Sequence, residues 1–175
     1  MARVFLIGFM GVGKTTLGQQ LARRMDFDFV DLDREVERQT GESIPYIFAS
    51  HGETRFRDLE IATLSTVLDR KRIVVATGGG TAASTEAMQM MRRHGTVIWL
   101  RASVDTILSR TNSSHHRPLL AGTTRKDRRQ RIETLLAQRT PFYAGADWIL
   151  DTNTTDQEWL VDQAYDFLES TTESV

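Results

Sequence analysis

The sequence predicts an α/β three-layer sandwich: a central parallel sheet of about five strands with helices on both faces. Three observations predict it. Short apolar runs alternate with longer amphipathic segments along the chain. The first apolar run meets a glycine-rich turn at once, and a helical pattern follows. The chain has 175 residues and is 40% hydrophobic, enough for one domain with a sizeable core.

The elements follow in order. Residues 4–7, VFLI, end at a glycine and read as a buried strand. Leu17, Leu21 and Met25 recur every fourth residue behind it, which is a helical stripe. Residues 27–31, FDFVD, are the second strand, and residues 72–77, 96–100 and 148–150 the next three. Helical patterns separate them, and the last places Leu160, Ala164, Phe167 and Leu168 on one face. Crossovers of this kind make a parallel sheet, whose ligands bind beyond the carboxyl ends of the strands. The informative positions are therefore Gly8, Asp31, Thr77 and Arg101. Three stretches break the alternation. Residues 41–60 read as an inserted helical layer, and residues 111–124 as a polar loop long enough to be functional. Residues 126–139 read as a basic helix with Ile132, Leu135 and Leu136 as its stripe.

Composition excludes some functions. Lys and Arg number 22 against 23 Asp and Glu, a formal net charge of −1, so no bulk nucleic-acid footprint exists. There is no cysteine, hence no disulfide framework and no thiolate metal site. The opening MARVFLIG is too short for a signal peptide or a membrane span. A soluble, cytoplasmic protein is expected.

Residues 8–15, GFMGVGKT, meet the pattern G-x-x-x-x-G-K-[ST] between a strand and a helix. Glycines let backbone N–H groups turn inward around an anion. Lys14 can reach the β- and γ-phosphates, and the Thr15 hydroxyl can coordinate Mg²⁺. The helix that follows aims its positive end at the same place. The loop implies a nucleoside triphosphate and Mg²⁺ but no particular reaction. A GTPase would carry D-x-x-G and N/T-K-x-D, and neither occurs. Small size, an inserted layer and an arginine-bearing loop favour a small-molecule kinase, whose lid must exclude water.

Four further features bear on the acceptor. Asp31 and Asp33 close the second strand; one could support Mg²⁺ and the other accept a hydroxyl proton. Against this, Asp33 could simply cap the next helix. The glycines of TGGG, residues 77–80, bring backbone close to a ligand, make a tight turn of positive φ, or do both. Arg57, with Glu53 and Glu60 four and three residues away, is either a helix-surface ion-pair set or a clamp for a carboxylate. Arg139, on the basic helix, faces the same choice against a solvated face. His115 and His116 have no helical ligand spacing and read as solvated loop. The three tryptophans read as packing or half-buried surface.

Taken together, GFMGVGKTTLG, FVDLD, SIPYIFASHGETRFRDLE, VVATGGG, RPLL and RTPFY resemble the shikimate kinases, small P-loop kinases of aromatic amino-acid biosynthesis. The pairing of GExxFRxxE with TGGG separates that family from gluconate, adenylate and adenylylsulfate kinases. The resemblance implies a single P-loop kinase domain over residues 1–175, with residues 33–60 as the substrate-binding segment and 111–124 as the lid. It implies ATP-dependent phosphorylation of the 3-hydroxyl of shikimate. Gly11, Val12, Gly13, Lys14, Thr15 and Thr16 would cradle the phosphates, and Arg110 would lie against the adenine. Asp33 would be the base, and Arg57 and Arg139 would grip the carboxylate. Gly79 would add backbone contacts, with Phe48 and Phe56 as the apolar wall. Asp31 would support Mg²⁺ beside Thr15. Arg117 would swing in with the lid and join Lys14 and Asp33 as catalytic groups. The implied partners are ATP, ADP and shikimate, with no nucleic acid, no membrane and a monomeric chain. The alternatives are another small-metabolite kinase of gluconate-kinase type, or a non-catalytic nucleotide-sensing module.

Overall fold

The computed structural model describes residues 3–111 and 124–172. Five strands form one sheet: β1 (Arg3–Ile7), β2 (Asp28–Asp31), β3 (Ile73–Ala76), β4 (Thr96–Arg101) and β5 (Trp148–Asp151), in the order β2-β3-β1-β4-β5. Every pairing is parallel, as the alternation of strands and helices predicts. The helices among the described residues are α1 (Lys14–Met25), α2 (Leu32–Thr40), α3 (Ile44–Leu68), α4 (Thr85–His94), α5 (Val104–Thr111), α6 (Arg125–Tyr143) and α7 (Gln157–Thr172).

The two-residue side-chain period of β1 divides the core. Val4 and Leu6 face one layer, where Leu17 and Leu21 of α1, Ile107 of α5 and Leu160 and Ala164 of α7 pack. Phe5 and Ile7 face the other, with Leu64 of α3, Met91 of α4 and Tyr143 of α6. Phe5 lies opposite Val75 of β3 and Val97 of β4, so β1 is buried on both edges and both faces. The chain crosses from one side of β1 to the other between β3 and β4. The carboxyl ends there are the topological switch where a parallel sheet opens a crevice.

Local caps fix how each strand hands over. The Asp31 side chain accepts from the Arg34 N–H and caps α2, which corrects the alternative that Asp33 is the cap. Asp33 instead sits inside the first turn of α2. Ser43, Ser84 and Thr124 cap α3, α4 and α6, and Thr124 forms a reciprocal capping box with Asp127. Helix α1 differs: its cap is Gly13, left-handed at φ 100°, with no side chain on the first turn.

The inserted layer is α2 with α3, and it has a small cluster of its own: Val36, Ile47 and Phe56. Helix α3 is broken at Gly52, where φ is 80° and ψ is 172°. Thr111 belongs to α5 and Thr124 caps α6. Residues 112–123 of the expected lid, with His115, His116 and Arg117, lie outside the described residues. Trp99 packs on Tyr143, Trp148 stacks on Phe167, and Trp159 is exposed. No helix among the described residues is long and apolar enough to cross a membrane.

Gly95 shows how closely the layers approach. Its φ of 179° is ordinary extended backbone, but a Cβ there would run into the Arg3 carbonyl of β1. Gly95→Ala is expected to cost about 1–3 kcal/mol, the usual overpacking range. That should lower the melting temperature by roughly 3–10 °C in a thermal unfolding scan. An unchanged melting temperature would show that this corner can give way.

Candidate active site

A cavity of about 670 Å³ opens at the carboxyl ends of β1, β2 and β3. It is lined by the glycine-rich loop, the start of α2, both halves of α3, the TGGG loop, Arg110 of α5 and Arg139 of α6. The volume suits a small-molecule site.

On one wall, the Lys14 ammonium donates to the carbonyls of Gly8 (2.8 Å) and Phe9 (2.9 Å) and is largely buried. The Thr15 hydroxyl donates to the Asp31 carboxylate at 2.8 Å. Asp31 therefore joins two elements: one oxygen caps α2 and the other meets α1. Gly11, Gly13 and Thr16 complete this wall. Val12 differs from its neighbours in the loop. Its side chain is buried in the core and does not line the cavity, leaving only its backbone toward the loop.

The hydroxyl–carboxylate pair of Thr15 and Asp31 is a set of hard oxygen donors. No group of three or more His, Cys, Asp or Glu among the described residues is placed to hold a metal. A cation bound here would take one or two protein oxygens and fill the rest from phosphate and water, which is the habit of Mg²⁺. The residues present fit that ion.

On the opposite wall, Asp33 presents an oxygen that is buried and without a hydrogen-bond partner. Burial, with the nearby carboxylates of Glu60 and Asp31, pushes its pKa from 3.8 to about 6, against the pull of Lys14. Glu60 is only 1% exposed. It binds Arg57 at 2.5 Å and accepts from the Thr81 hydroxyl. Burial raises its pKa, and Arg57 and Thr81 oppose that. Arg57 also binds Glu53 at 2.8 Å. The ion-pair set read from the spacing therefore exists, but one of its members lies in the interior. Burial disfavours the Arg57 cation, yet Glu60 and Glu53 outweigh it and hold the guanidinium charged.

The TGGG loop is built for close approach. Gly78, Gly79 and Gly80 are not among the residues of positive φ, so the turn they make after β3 does not need one. A Cβ on Gly78 would lie 2.5 Å from the free Asp33 oxygen and 2.7 Å from Glu60. A Cβ on Gly80 would overlap the Arg57 guanidinium. Arg139 is 7% exposed, contrary to a solvated helix face. It donates to the Gly79 carbonyl at 2.9 Å and lies over the Phe9 ring. Phe48 and Phe56 pack at 4.7 Å between centroids as an apolar flank. Arg110 donates to the carbonyls of Thr152 (2.8 Å) and Thr154 (3.0 Å), fixing the loop that leads to Gln157.

Of the expected site residues, all the described ones except Val12 line this one cavity. Arg117 lies outside the described residues. Glu60, Tyr143, Glu37 and Gln157 were not singled out from sequence. Glu60 stood inside a quoted motif but read as a surface partner. Gln157 carries no local signal at all.

A model of the family described as shikimate kinase matches residues 10–169. A shikimate kinase from Persephonella marina is 43% identical over 147 residues, 84% of this chain and 87% of that protein. One from Chromobacterium violaceum is 43% identical over 165 residues, 94% and 88% of the two chains. Among solved structures, shikimate kinase from Acinetobacter baumannii in complex with shikimate superposes with a TM-score of 0.91 at 34% identity, covering 98% of this chain and 94% of that one. A gluconokinase from Sinorhizobium meliloti reaches a TM-score of 0.66 at 15% identity over 99% and 94%, a likeness of fold alone. With a P-loop kinase fold, a phosphate loop and the acidic and arginine-bearing wall facing it, the chain belongs to the shikimate kinase family.

Proposed function

We propose that this enzyme transfers the γ-phosphoryl group of ATP to the 3-hydroxyl of shikimate, with the site residues in the following roles. One observation carries the reading: the phosphate loop and Asp33, Arg57, Gly79 and Arg139 line the same cavity. Lys14, the loop amides and the uncapped start of α1 hold the phosphates. Arg57 and Arg139 grip the carboxylate of shikimate, Gly79 contributes backbone, and Phe48 and Phe56 flank its ring. Asp33 binds the hydroxyls and takes the proton as the acceptor oxygen bonds to the γ-phosphorus and the bond to ADP breaks.

Thr15 and Asp31 hold Mg²⁺, which when bound neutralises charge on the phosphate oxygens. Arg110 flanks the adenine. Arg117 is assigned from the sequence pattern to the closing lid at residues 111–124, and residues 33–60 form the acceptor segment of a single domain. The chain acts as a cytoplasmic monomer, and its lack of cysteine is compatible with a reducing compartment.

The direct test is ADP release with ATP and Mg²⁺, with and without shikimate; ADP that forms at the same rate in both would overturn the assignment. Arg57→Ala should raise the KM for shikimate about 10- to 100-fold, the loss of a charged hydrogen bond, and leave the KM for ATP alone. An unchanged shikimate KM would remove Arg57 from the clamp. Asp33→Asn should lower kcat by about 10²- to 10⁴-fold while ATP still binds.

Asp33 also makes a prediction about stability. A carboxyl with a pKa of about 6 when folded and 3.8 ordinarily holds more protons folded than unfolded between those values. Stability therefore falls as pH rises from about 4 to about 6. Without Mg²⁺ or nucleotide, Asp33→Asn should be more stable than the parent at neutral pH by at most about 3 kcal/mol. The gap should close toward pH ~4. A gap independent of pH would show that the Asp33 charge does not oppose folding.

A further inference from the structure

Tyr143 is 0% exposed and packs its ring 5.7 Å from that of Trp99. A buried tyrosine hydroxyl needs a hydrogen-bond partner, and any nearby carbonyl could serve. The partner here is not an arbitrary one. Tyr143 donates to the Gly79 carbonyl at 2.5 Å, the same oxygen that receives Arg139 at 2.9 Å. Residues 139 and 143 are one helical turn apart on α6, so both reach the glycine loop from one helix face. Together they fill both lone pairs of that oxygen.

Fixing this carbonyl fixes more than Gly79. The peptide to Gly80 is planar and trans, so its orientation is set as a unit. Its far end is Gly80, where the Arg57 guanidinium fills the space a Cβ would take. Its near end is held by Arg139. The Gly79–Gly80 peptide is thus a spacer with one arginine at each end, set in a run of three glycines with little conformational preference of its own. Burial raises the Tyr143 pKa, so the hydroxyl stays a donor at working pH.

We infer that Tyr143 is a positioning residue: its hydroxyl holds the Gly79–Gly80 peptide and so sets the separation of Arg57 and Arg139 for a substrate carboxylate. The inference rests on the reading of those two arginines as the carboxylate clamp. Tyr143 itself does not touch substrate. Its loss acts through the pair and falls on the charged end of the acceptor, not on the nucleotide.

The test is Tyr143→Phe, assayed with shikimate and with its carboxamide analogue, in which the carboxylate is uncharged. The shikimate KM should rise about 5- to 20-fold, the weight of one oriented hydrogen bond. The KM values for ATP and for the carboxamide should stay within about twofold. Trp99→Phe disturbs the same packing and keeps the hydroxyl; it should lower the melting temperature without changing the shikimate KM. Arg139→Ala is the reference arm. An unchanged shikimate KM in Tyr143→Phe, with a raised one in Arg139→Ala, would overturn the inference and spare the clamp. Equal rises for shikimate and carboxamide in Tyr143→Phe, or an equal shikimate rise in Trp99→Phe, would reduce Tyr143 to a packing residue. An unchanged KM in Arg139→Ala would overturn the clamp and the inference together.

Discussion

The pocket depends on one buried negative charge. Glu60 lies in the interior, and transfer of a carboxylate out of water costs several kcal/mol unless partners offset it. Arg57 and Thr81 are those partners, and they come from α3 itself and from the turn after β3. The same charge faces Asp33 and is one cause of its raised pKa. A single residue thus holds a guanidinium in place, ties the glycine loop to α3 and keeps the neighbouring carboxyl a stronger base than an exposed one. The glycines complete the arrangement, since a side chain at Gly78 or Gly80 would occupy the space these groups fill.

The sheet supplies the frame. With β1 at the centre and β3 and β4 on either side, the phosphate loop, Asp31 and the TGGG loop leave the sheet at the same edge. Caps then direct each exit. Side chains close the starts of α2, α3 and α4, while α1 begins at a glycine and leaves its first-turn amides to the loop. The donor wall and the acceptor wall are consequently two products of one topology.

Much of this was legible in the sequence. The strands were marked by apolar runs, and the phosphate loop by its pattern between a strand and a helix. The acceptor groups were another matter: residue physics left Arg57 and Arg139 undecided, and the family resemblance assigned them. What stayed hidden was set by tertiary approach. Spacing showed that Arg57 and Glu60 could pair, but not that Glu60 would be interior. A basic helix reads as a solvated face, yet Arg139 turns inward because the Gly79 carbonyl and Phe9 ring lie beneath it. Val12 sits in a phosphate-loop motif, but its side chain belongs to the core. Asp31 took the capping role open to Asp33, because the strand ends between them. Tyr143 closes the RTPFY stretch, but nothing in the spacing pointed to its partner, sixty-four positions away in the chain.

The break at Gly52 has its own consequence. It separates the first part of α3, which carries Ile47 and Phe48, from the part that packs on the sheet, and Phe56 of that second part joins Ile47 and Val36 in one small cluster across the break. The first part is backed by this small cluster, the second by the cluster and by the sheet-packed core as well. A small satellite cluster opens at lower free energy than a sheet-backed core. The first part of α3 therefore has less behind it than the second. Sequence change there reshapes the cavity wall through Ile44, Pro45 and Phe48 while the phosphate loop keeps its seat on the central strand.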